Sequence, residues 1–344
     1  MQSFTVGGIT YPFVHPYFQS LLLYMGEFTC LLVFAIIRIR QSRNIKSISQ
    51  NEKDAIISGR SSFPRVIFFI PATFSFFSTG LMNFALVMLD ASVWQMMRAS
   101  SIIFVTLFSV ILLKRKLYRH HITGIACIVV GLTLVALSRI ITNSNIKQNK
   151  PLGFLTVLLS QVFISGVYIS EEKIMKAYYI APVQVVGLEG LSGVTICITI
   201  VLPILTSIAC PAAMINTDSC PFGTLESVSF AIEQICQSWK LILAILGYIF
   251  SIALFNFFGI SITNFASALS RSTIEVIRNC TIWIFSLLFG WEKLRWMSFL
   301  QLGGFITLTF GSLLFNEIII LPIMGFNLYT KNAIAQREKA KNLL

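Results

Sequence analysis

Charged side chains are scarce in this sequence of 344 residues, of which only 12% are Asp, Glu, Lys or Arg. Soluble globular domains carry roughly 25% charged residues. Apolar residues make up 56% of the chain, and the mean hydropathy is +0.80. A water-soluble core cannot hide so much apolar surface, so the low charge excludes an ordinary soluble protein and predicts one embedded in a lipid bilayer.

Motifs for catalysis within a membrane are missing as well. The sequence has no HExxH zinc-protease pattern, no paired aspartates in apolar runs and no serine–histidine arrangement. Its three histidines, His15, His120 and His121, fall at the edges of apolar runs, and no Cys or His spacing is typical of zinc. We therefore predict that the chain is not an enzyme and holds neither a metal nor a cofactor.

Apolar runs of about 20 residues, long enough to span a bilayer as a helix, occur about nine times. Such long runs favour helices over the short alternating strands of a membrane barrel. We predict an all-α polytopic membrane protein. The predicted spans are 17–37, 64–89, 93–113, 120–141, 151–170, 181–208, 240–263, 267–289 and 296–320.

The net charge of +12 comes from Lys and Arg residues that cluster between the apolar runs. Most of them lie in 38–65, 114–119, 173–176 and the C-terminal tail, 325–344. These regions fall on one side of the membrane when the spans are counted along the chain, and cytoplasmic loops carry such an excess. The pattern predicts a cytoplasmic C-terminus and no nucleic-acid partner.

The opposite side holds a loop of about 209–238 that has acidic residues and no Lys or Arg. The same loop contains Cys210, Cys220 and Cys236. In a lumen or outside the cell, two of these cysteines can form one disulfide, which leaves one thiol over.

One arginine and two glycines recur at the same spacing in the two halves of the chain. The two copies are Arg98, Gly124 and Gly131, and Arg278, Gly304 and Gly311. The first arginine follows a predicted lumenal turn and the second a predicted cytoplasmic turn, so the repeats are inverted. We predict a first half, 1–147, and a second half, 148–324, with a substrate site between them near the midplane of the membrane.

The glycines of each copy are seven residues apart, which places them on one face of a helix and lets two backbones approach closely. Close packing within the helix bundle is the favoured interpretation. The alternative is a homodimer interface.

Polar residues inside the spans are the strongest indicators of function, since each charge costs about 2.5–3.5 kcal/mol at the centre of a helix. Glu27 and Glu189 lie near mid-depth of their spans. A carboxylate at that depth either exchanges protons or is held by a nearby arginine as a structural pair. Asn83 and Asn256 are single polar residues in apolar spans, and they either line a cavity or form interhelical hydrogen bonds.

Two of the spans carry arginines together with other polar residues on one helix face. Arg271, Glu275 and Arg278 follow one another at spacings of four and three, and Gln95 and Arg98 are three apart. Because arginine suits the bidentate recognition of phosphate or carboxylate, Arg98 and Arg278 are candidates for contact with substrate or for gating. The other interpretation is packing at the helix ends.

Polar residues also end the predicted span 151–170. Tyr168 is followed by Glu171 and Glu172, and Lys173 can neutralise one of the two carboxylates. A gate is one interpretation, but the sequence favours a solvated end of the helix.

Several long stretches resemble the drug/metabolite transporter superfamily. They are 15–34, 91–117, 171–193, 223–227 and 254–292. Within that superfamily the chain resembles the nucleotide-sugar-transporter-like solute carriers of family 35, F subgroup. It is similar, more distantly, to the chloroquine-resistance-type transporters.

The resemblance implies a bundle of ten helices, built from two inverted five-helix repeats that work by alternating access. The first family helix has no counterpart before His15, so we expect four spans in the first half and five in the second. Glu275 stands where relatives can carry Asp. The positions shared with the family are Glu27, Gln95, Arg98, Glu171, Glu172, Glu189, Arg271 and Arg278.

The function that follows is a secondary transporter of a small organic solute in an endomembrane, such as that of the Golgi, lysosome or vacuole. Anions like nucleotide sugars would use Arg98, Arg271 and Arg278. Cationic or amphipathic metabolites would use Glu27 and Glu189, with coupling to protons. The absent first helix motivates the alternative, a membrane interaction protein that no longer transports.

Overall fold

The protein is described by a computed structural model over residues 3–6, 9–13, 15–44, 64–89, 94–95, 97–115, 117–142, 151–208, 226–289, 296–319, 330 and 336–337. A two-stranded antiparallel hairpin comes first, with strands β1 (Ser3–Val6) and β2 (Ile9–Pro12). The helices follow in chain order: α1 (Pro16–Asn44), α2 (Phe69–Met88), α3 (Ser101–Leu113), α4 (Arg119–Thr142), α5 (Pro151–Tyr178), α6 (Pro182–Ile196), α7 (Leu202–Ser207), α8 (Val228–Gln237), α9 (Trp239–Phe265), α10 (Ala268–Leu288) and α11 (Trp296–Phe315).

Short irregular turns extend three of these helices. The 3₁₀ turns Arg65–Phe68 and Arg98–Ser100 lead into α2 and α3. A π-helical turn, Cys197–Val201, joins α6 to α7 and ends two residues before Pro203. Proline has no backbone N–H to donate, so the hydrogen-bond pattern of the helix must change near this residue.

Each of the nine predicted spans coincides with helical structure, which confirms the all-α polytopic membrane fold. Among the described residues, five helical segments are long and apolar enough to cross a bilayer: Tyr17–Arg40, Arg65–Leu86, Pro151–Tyr178, Pro182–Ser207 and Trp239–Phe265. Three shorter apolar segments accompany them: Arg98–Leu113, Arg119–Val135 and Phe299–Phe315. Many large apolar side chains on these helices are exposed, as expected where lipid replaces water.

Two elements differ from the sequence-based expectation besides the added hairpin. Helix α5 continues two turns beyond 170, because Ile174 and Met175 on its extension are buried in an apolar cluster. Helix α8 lies within the predicted loop 209–238, where its residue Ala231 packs against Phe18 of α1. A ten-residue amphipathic helix is too short to stand out in a search for membrane spans.

Contacts within the chain divide it into two compact units. Unit 1 consists of Met1–Gly80 and Ser170–Phe265, and unit 2 consists of Leu81–Ile169 and Ala266–Leu344. Each unit therefore takes segments from both predicted sequence halves.

Helix α1 is the central helix of unit 1, where it packs against α6 and α9. Three glycines of α6, Gly187, Gly190 and Gly193, face it at a spacing of three residues. A Cβ atom added to them would lie 2.5, 2.4 and 2.2 Å from atoms of α1. The side chains of α1 therefore rest directly on the backbone of α6, and any larger residue at these positions would push the helices apart.

Unit 2 is built around the contact between α4 and α11, where the repeated glycines meet. A Cβ atom on Gly124 would lie 2.8 Å from the carbonyl oxygen of Gly311, and one on Gly131 would lie 2.7 Å from that of Gly304. The first glycine of one copy thus meets the second glycine of the other. Because both pairings obey this rule, the two helices are antiparallel and related by a local two-fold axis perpendicular to them.

Two neighbouring glycines of α11 give a matched test of this contact. We expect Gly304→Ala to destabilise the protein by about 1–3 kcal/mol, because its Cβ would lie 2.8 Å from the carbonyl oxygen of Gly131. Gly303→Ala meets nothing within 4 Å, and we expect it to be neutral or to stabilise the helix by about 0.5–1 kcal/mol. Thermal unfolding of the purified protein in detergent measures both changes, and equal effects of the two substitutions would contradict the packing.

Candidate functional site

The charged face of α10 lies inside unit 2, where it meets a tyrosine of α5. The hydroxyl of Tyr168 donates a hydrogen bond of 2.5 Å to Oε1 of Glu275. The guanidinium carbon of Arg271 lies 4.2 Å from the centroid of the Tyr168 ring, and its Nε is 4.0 Å from the same carboxylate oxygen. All three side chains are buried. The carboxylate and the aromatic face together stabilise one buried guanidinium.

Arg98 joins this group from the 3₁₀ turn before α3. Its guanidinium carbon lies 5.2 Å from the centroid of the Trp94 ring. It is close enough to Arg278, Glu275 and Tyr168 to interact with each of them electrostatically. The two arginines of the sequence repeat therefore lie in one group of charges. We call Arg98, Tyr168, Arg271, Glu275 and Arg278 the arginine cluster.

The composition of the arginine cluster limits what it can do chemically. Three guanidinium groups share one carboxylate among its members, and like charges at short range repel each other. An anion with several acceptor oxygens would relieve that repulsion and accept paired hydrogen bonds from a guanidinium. The arrangement is therefore suited to holding an anion.

Buried polar contacts fix the helices around the arginine cluster. Nε1 of Trp94 donates a hydrogen bond of 2.9 Å to the carbonyl oxygen of Met82, which positions the ring beside Arg98. The hydroxyl of Ser165, on α5, lies 3.2 Å from the carbonyl oxygen of Ser101 at the start of α3. Two other predicted residues of unit 2, Gln95 and Asn83, are partly buried on neighbouring segments.

Glu27 belongs to unit 1, where it meets another predicted residue. The side-chain amide of Asn256, on α9, donates a hydrogen bond of 2.7 Å to Oε1 of Glu27, on α1. A Cβ atom on Gly190 would lie 2.6 Å from the Cβ of Glu27, so the carboxylate stem rests on the backbone of α6. Glu189 is buried in the same helix. Asn256 thus forms an interhelical hydrogen bond, with a carboxylate as its acceptor.

The expectation of a solvated helix end at Glu171 and Glu172 is wrong. Both residues are only 1% exposed, because α5 continues past them to Tyr178. Glu172 forms an ion pair with Lys176, one turn later on the same helix, rather than with Lys173. The sequence predicted solvent-exposed carboxylates because the apolar run ends at this point. The helix itself continues beyond it.

One buried contact in unit 1 escaped the sequence-based prediction. Nδ1 of His15 lies 2.7 Å from Oε1 of Glu226, and its Nε2 lies 3.2 Å from Oε1 of Gln234. The other oxygen of Glu226 accepts a hydrogen bond from the backbone N–H of Tyr17. This contact fastens the start of α1 to the segment around α8. His15 and Glu226 both fall in stretches that resemble the family, and this resemblance was the only sequence signal for the contact.

The cysteines of the predicted disulfide are only partly described. Cys236 lies exposed on α8 as a thiol. Cys210 and Cys220 lie outside the described residues, as does nearly all of the basic tail, 325–344. The disulfide stays a prediction.

Comparison with known proteins gives consistent matches along the chain. The profile of the family described as nucleotide-sugar transporter matches residues 12–209. Solute carrier family 35 member F6 of Homo sapiens is 33% identical over 341 residues, covering 98% of this chain and 87% of the human protein. The protein of the same name from Rattus norvegicus is 34% identical over 315 residues, covering 91% and 80%. An uncharacterized protein of Schizosaccharomyces pombe is 28% identical over 305 residues, covering 89% and 88%.

Two tyrosines of the described chain allow a matched test of the arginine cluster. We expect Tyr168→Phe to lower the free energy of unfolding by about 1.5–3 kcal/mol, because it removes a buried hydrogen bond to a charged group. Tyr179 is 82% exposed, and we expect Tyr179→Phe to change stability by no more than about 0.5 kcal/mol. Chemical denaturation in detergent micelles measures the difference. A neutral Tyr168→Phe would show that the hydroxyl does not stabilise Glu275.

Proposed function

This chain belongs to the nucleotide-sugar transporter family of solute carriers, and from that premise we propose that it moves a small organic anion by alternating access. Membership makes the protein a multi-pass membrane transporter rather than an enzyme.

The main support for an anionic solute is the arginine cluster. Its three guanidinium groups come from two helical segments of unit 2, and two of them belong to corresponding positions of the repeat. A nucleotide sugar carries phosphates, whose oxygens match the fork of a guanidinium. Tyr168 and Glu275 hold Arg271 in place, so the side chain is positioned before a solute arrives. Such preorganisation lowers the entropic cost of binding the solute.

Glu27 is the residue that we propose for proton coupling. Ionisable residues buried in membrane helices are rare and are typical of proton relays and solute paths. Glu27 is buried, and the amide of Asn256 can donate to it when ionised or accept from it through its oxygen when protonated. The pair thus tolerates both protonation states, which a proton-coupled step requires.

The distribution of basic residues supports one orientation of the chain in the membrane. Loops rich in Lys and Arg favour the cytoplasmic side, so we propose a cytoplasmic C-terminus and a lumenal face for the segment around α8. An internal membrane such as that of the Golgi, lysosome or vacuole fits the transporter class.

Solute recognition is tested by uptake into proteoliposomes, with a panel that contrasts nucleotide sugars with cationic metabolites. We expect Arg98→Ala and Arg278→Ala each to lower kcat/KM for an anionic solute about 10–100-fold, the equivalent of one lost hydrogen bond to a charged group. Arg337→Ala, which removes an exposed arginine from the tail, serves as the matched control.

The panel also decides between the competing classes of function. Uptake restricted to cationic solutes, or uptake that survives both substitutions, would overturn the anionic assignment. No uptake of any solute by the wild-type protein, in liposomes that show it to be folded, would favour a membrane interaction protein instead.

Proton coupling is tested by imposing a pH gradient on the same vesicles. We expect Glu27→Gln to abolish stimulation by the gradient while exchange of solute at equal pH continues, since the amide cannot release a proton. Glu233→Gln, an exposed carboxylate on α8, serves as the control and should leave stimulation intact. A Glu27→Gln protein that still responds to the gradient would contradict the coupling role.

A further inference from the structure

His120 and His121 open helix α4, and Glu317 follows the end of α11 in the same unit. Nε2 of His120 lies 3.2 Å from Oε1 of Glu317. One potential ligand atom from each of these three residues lies within 4.8 Å of the other two. No sequence spacing could indicate this group, because the carboxylate comes from the far end of the chain. We call the three residues the His–His–Glu group.

The backbone around Glu317 is arranged in an unusual way. Its φ angle is 60°, in the left-handed region that glycine or asparagine normally occupies after a helix. A glutamate is strained in this conformation, and such strain clusters at functional sites. The conformation brings the carboxylate to His120. The contact between α4 and α11 that depends on the paired glycines keeps these two chain segments together.

Aromatic contacts hold the two imidazoles close to each other. Their ring centroids are 4.0 Å apart. The ring of Tyr118 stacks on His120 at 6.0 Å, and Phe315 meets His121 edge-on at 5.0 Å. These contacts already restrict the two side chains, so binding an ion would cost less conformational entropy.

A cavity of about 460 Å³ adjoins the His–His–Glu group. His121 and Glu317 line it, together with Tyr118 and Asn316, so an ion and its water can reach the ligands. Arg115 lines the same cavity, and its positive charge disfavours any cation there, so the three ligands themselves must hold the ion.

We propose that His120, His121 and Glu317 bind one Zn²⁺ ion, with a fourth position open to the cavity. Two imidazoles and one glutamate form a known zinc ligand set, with three protein ligands and an open fourth position. Ligands about 2.0–2.1 Å from a tetrahedral ion lie about 3.3 Å apart, and the separation of 3.2 Å between His120 and Glu317 fits that spacing. His121 completes the set by rotating its ring, which exchanges a long contact of 3.4 Å from the backbone N–H of Tyr118 for a metal bond.

The bound ion would join the first turn of α4 to the end of α11 within unit 2. This role is separate from solute recognition, because the arginine cluster uses other residues. The competing explanation of the geometry is a plain hydrogen bond between His120 and Glu317. The two explanations differ in their response to zinc.

The test uses the purified full chain in detergent after removal of metals with a chelator. We expect one Zn²⁺ per chain in a competition titration, and a rise in thermal midpoint on adding zinc, since an ion that binds only the folded state stabilises it. Glu317→Gln keeps a hydrogen-bond acceptor for His120 but is a poor metal ligand. We expect it, like His120→Asn and His121→Asn, to weaken zinc binding by more than the roughly 10–100-fold that loss of an outer-shell partner costs.

Glu233→Gln removes an exposed carboxylate elsewhere and should leave zinc binding unchanged. X-ray absorption of the wild-type protein with zinc should show nitrogen and oxygen ligands, which keeps the test decisive if a variant fails to fold. The absence of stoichiometric zinc, sulfur ligands in the spectrum, or equal zinc affinity in the wild type and the three folded variants would each overturn the proposal.

Discussion

The close approach of α4 and α11 is the constraint on which the rest of unit 2 depends. Carbonyl oxygens of Gly304 and Gly311 occupy the space that a Cβ would fill on Gly131 and Gly124. In lipid, helices gain no hydrophobic driving force from each other, so backbone contact at small residues provides the packing. Helix α10 packs against α11, and the position of its charged face therefore depends on the same glycine contact. The His–His–Glu group depends on it directly.

Several charged side chains inside the two units have a specific neighbour. A guanidinium in an apolar bundle is costly unless a carboxylate, an aromatic face or a solute compensates for lost water. Arg271 has both Glu275 and Tyr168, and Glu27 has Asn256 in the other unit. Arg98 has an aromatic neighbour in Trp94 and lies within electrostatic range of both Arg278 and Glu275. The charges of the arginine cluster thus have neighbours of different kinds, which is the basis for proposing the cluster as a binding site.

Sequence reasoning could predict the spans, because the length of an apolar run and the absence of charge are local properties. It also identified the repeat, since the spacing of Arg98, Gly124 and Gly131 is visible along the chain. It misplaced Glu171, because a helix can continue where hydropathy falls if its next turn is buried by other segments. It could not find the pairing of His120 with Glu317, because their proximity is decided by how α4 and α11 pack.

The spacing of the glycines along α6 was also visible but was not used. Gly187, Gly190 and Gly193 lie three residues apart, which places them on one face of the helix. The sequence shows that such a face is smooth, but not which helix covers it. The structure assigns it to α1, where Glu27 lies. Which helix packs on a glycine face is decided by the tertiary fold, and it cannot be predicted from a single sequence.

The reciprocal contact of the glycines explains why Arg98 and Arg278 lie in the same group of charges. If a two-fold axis exchanges Gly124 with Gly304 and Gly131 with Gly311, it also exchanges the two arginines. Corresponding residues that lie close to each other must both lie close to that axis. The repeat differs there in charge, because Gln95 and Ala91 occupy the positions that Glu275 and Arg271 hold in the second copy. The local symmetry of unit 2 is therefore broken in charge, because the second copy supplies two guanidinium groups and the carboxylate of the arginine cluster, whereas the first copy supplies one guanidinium.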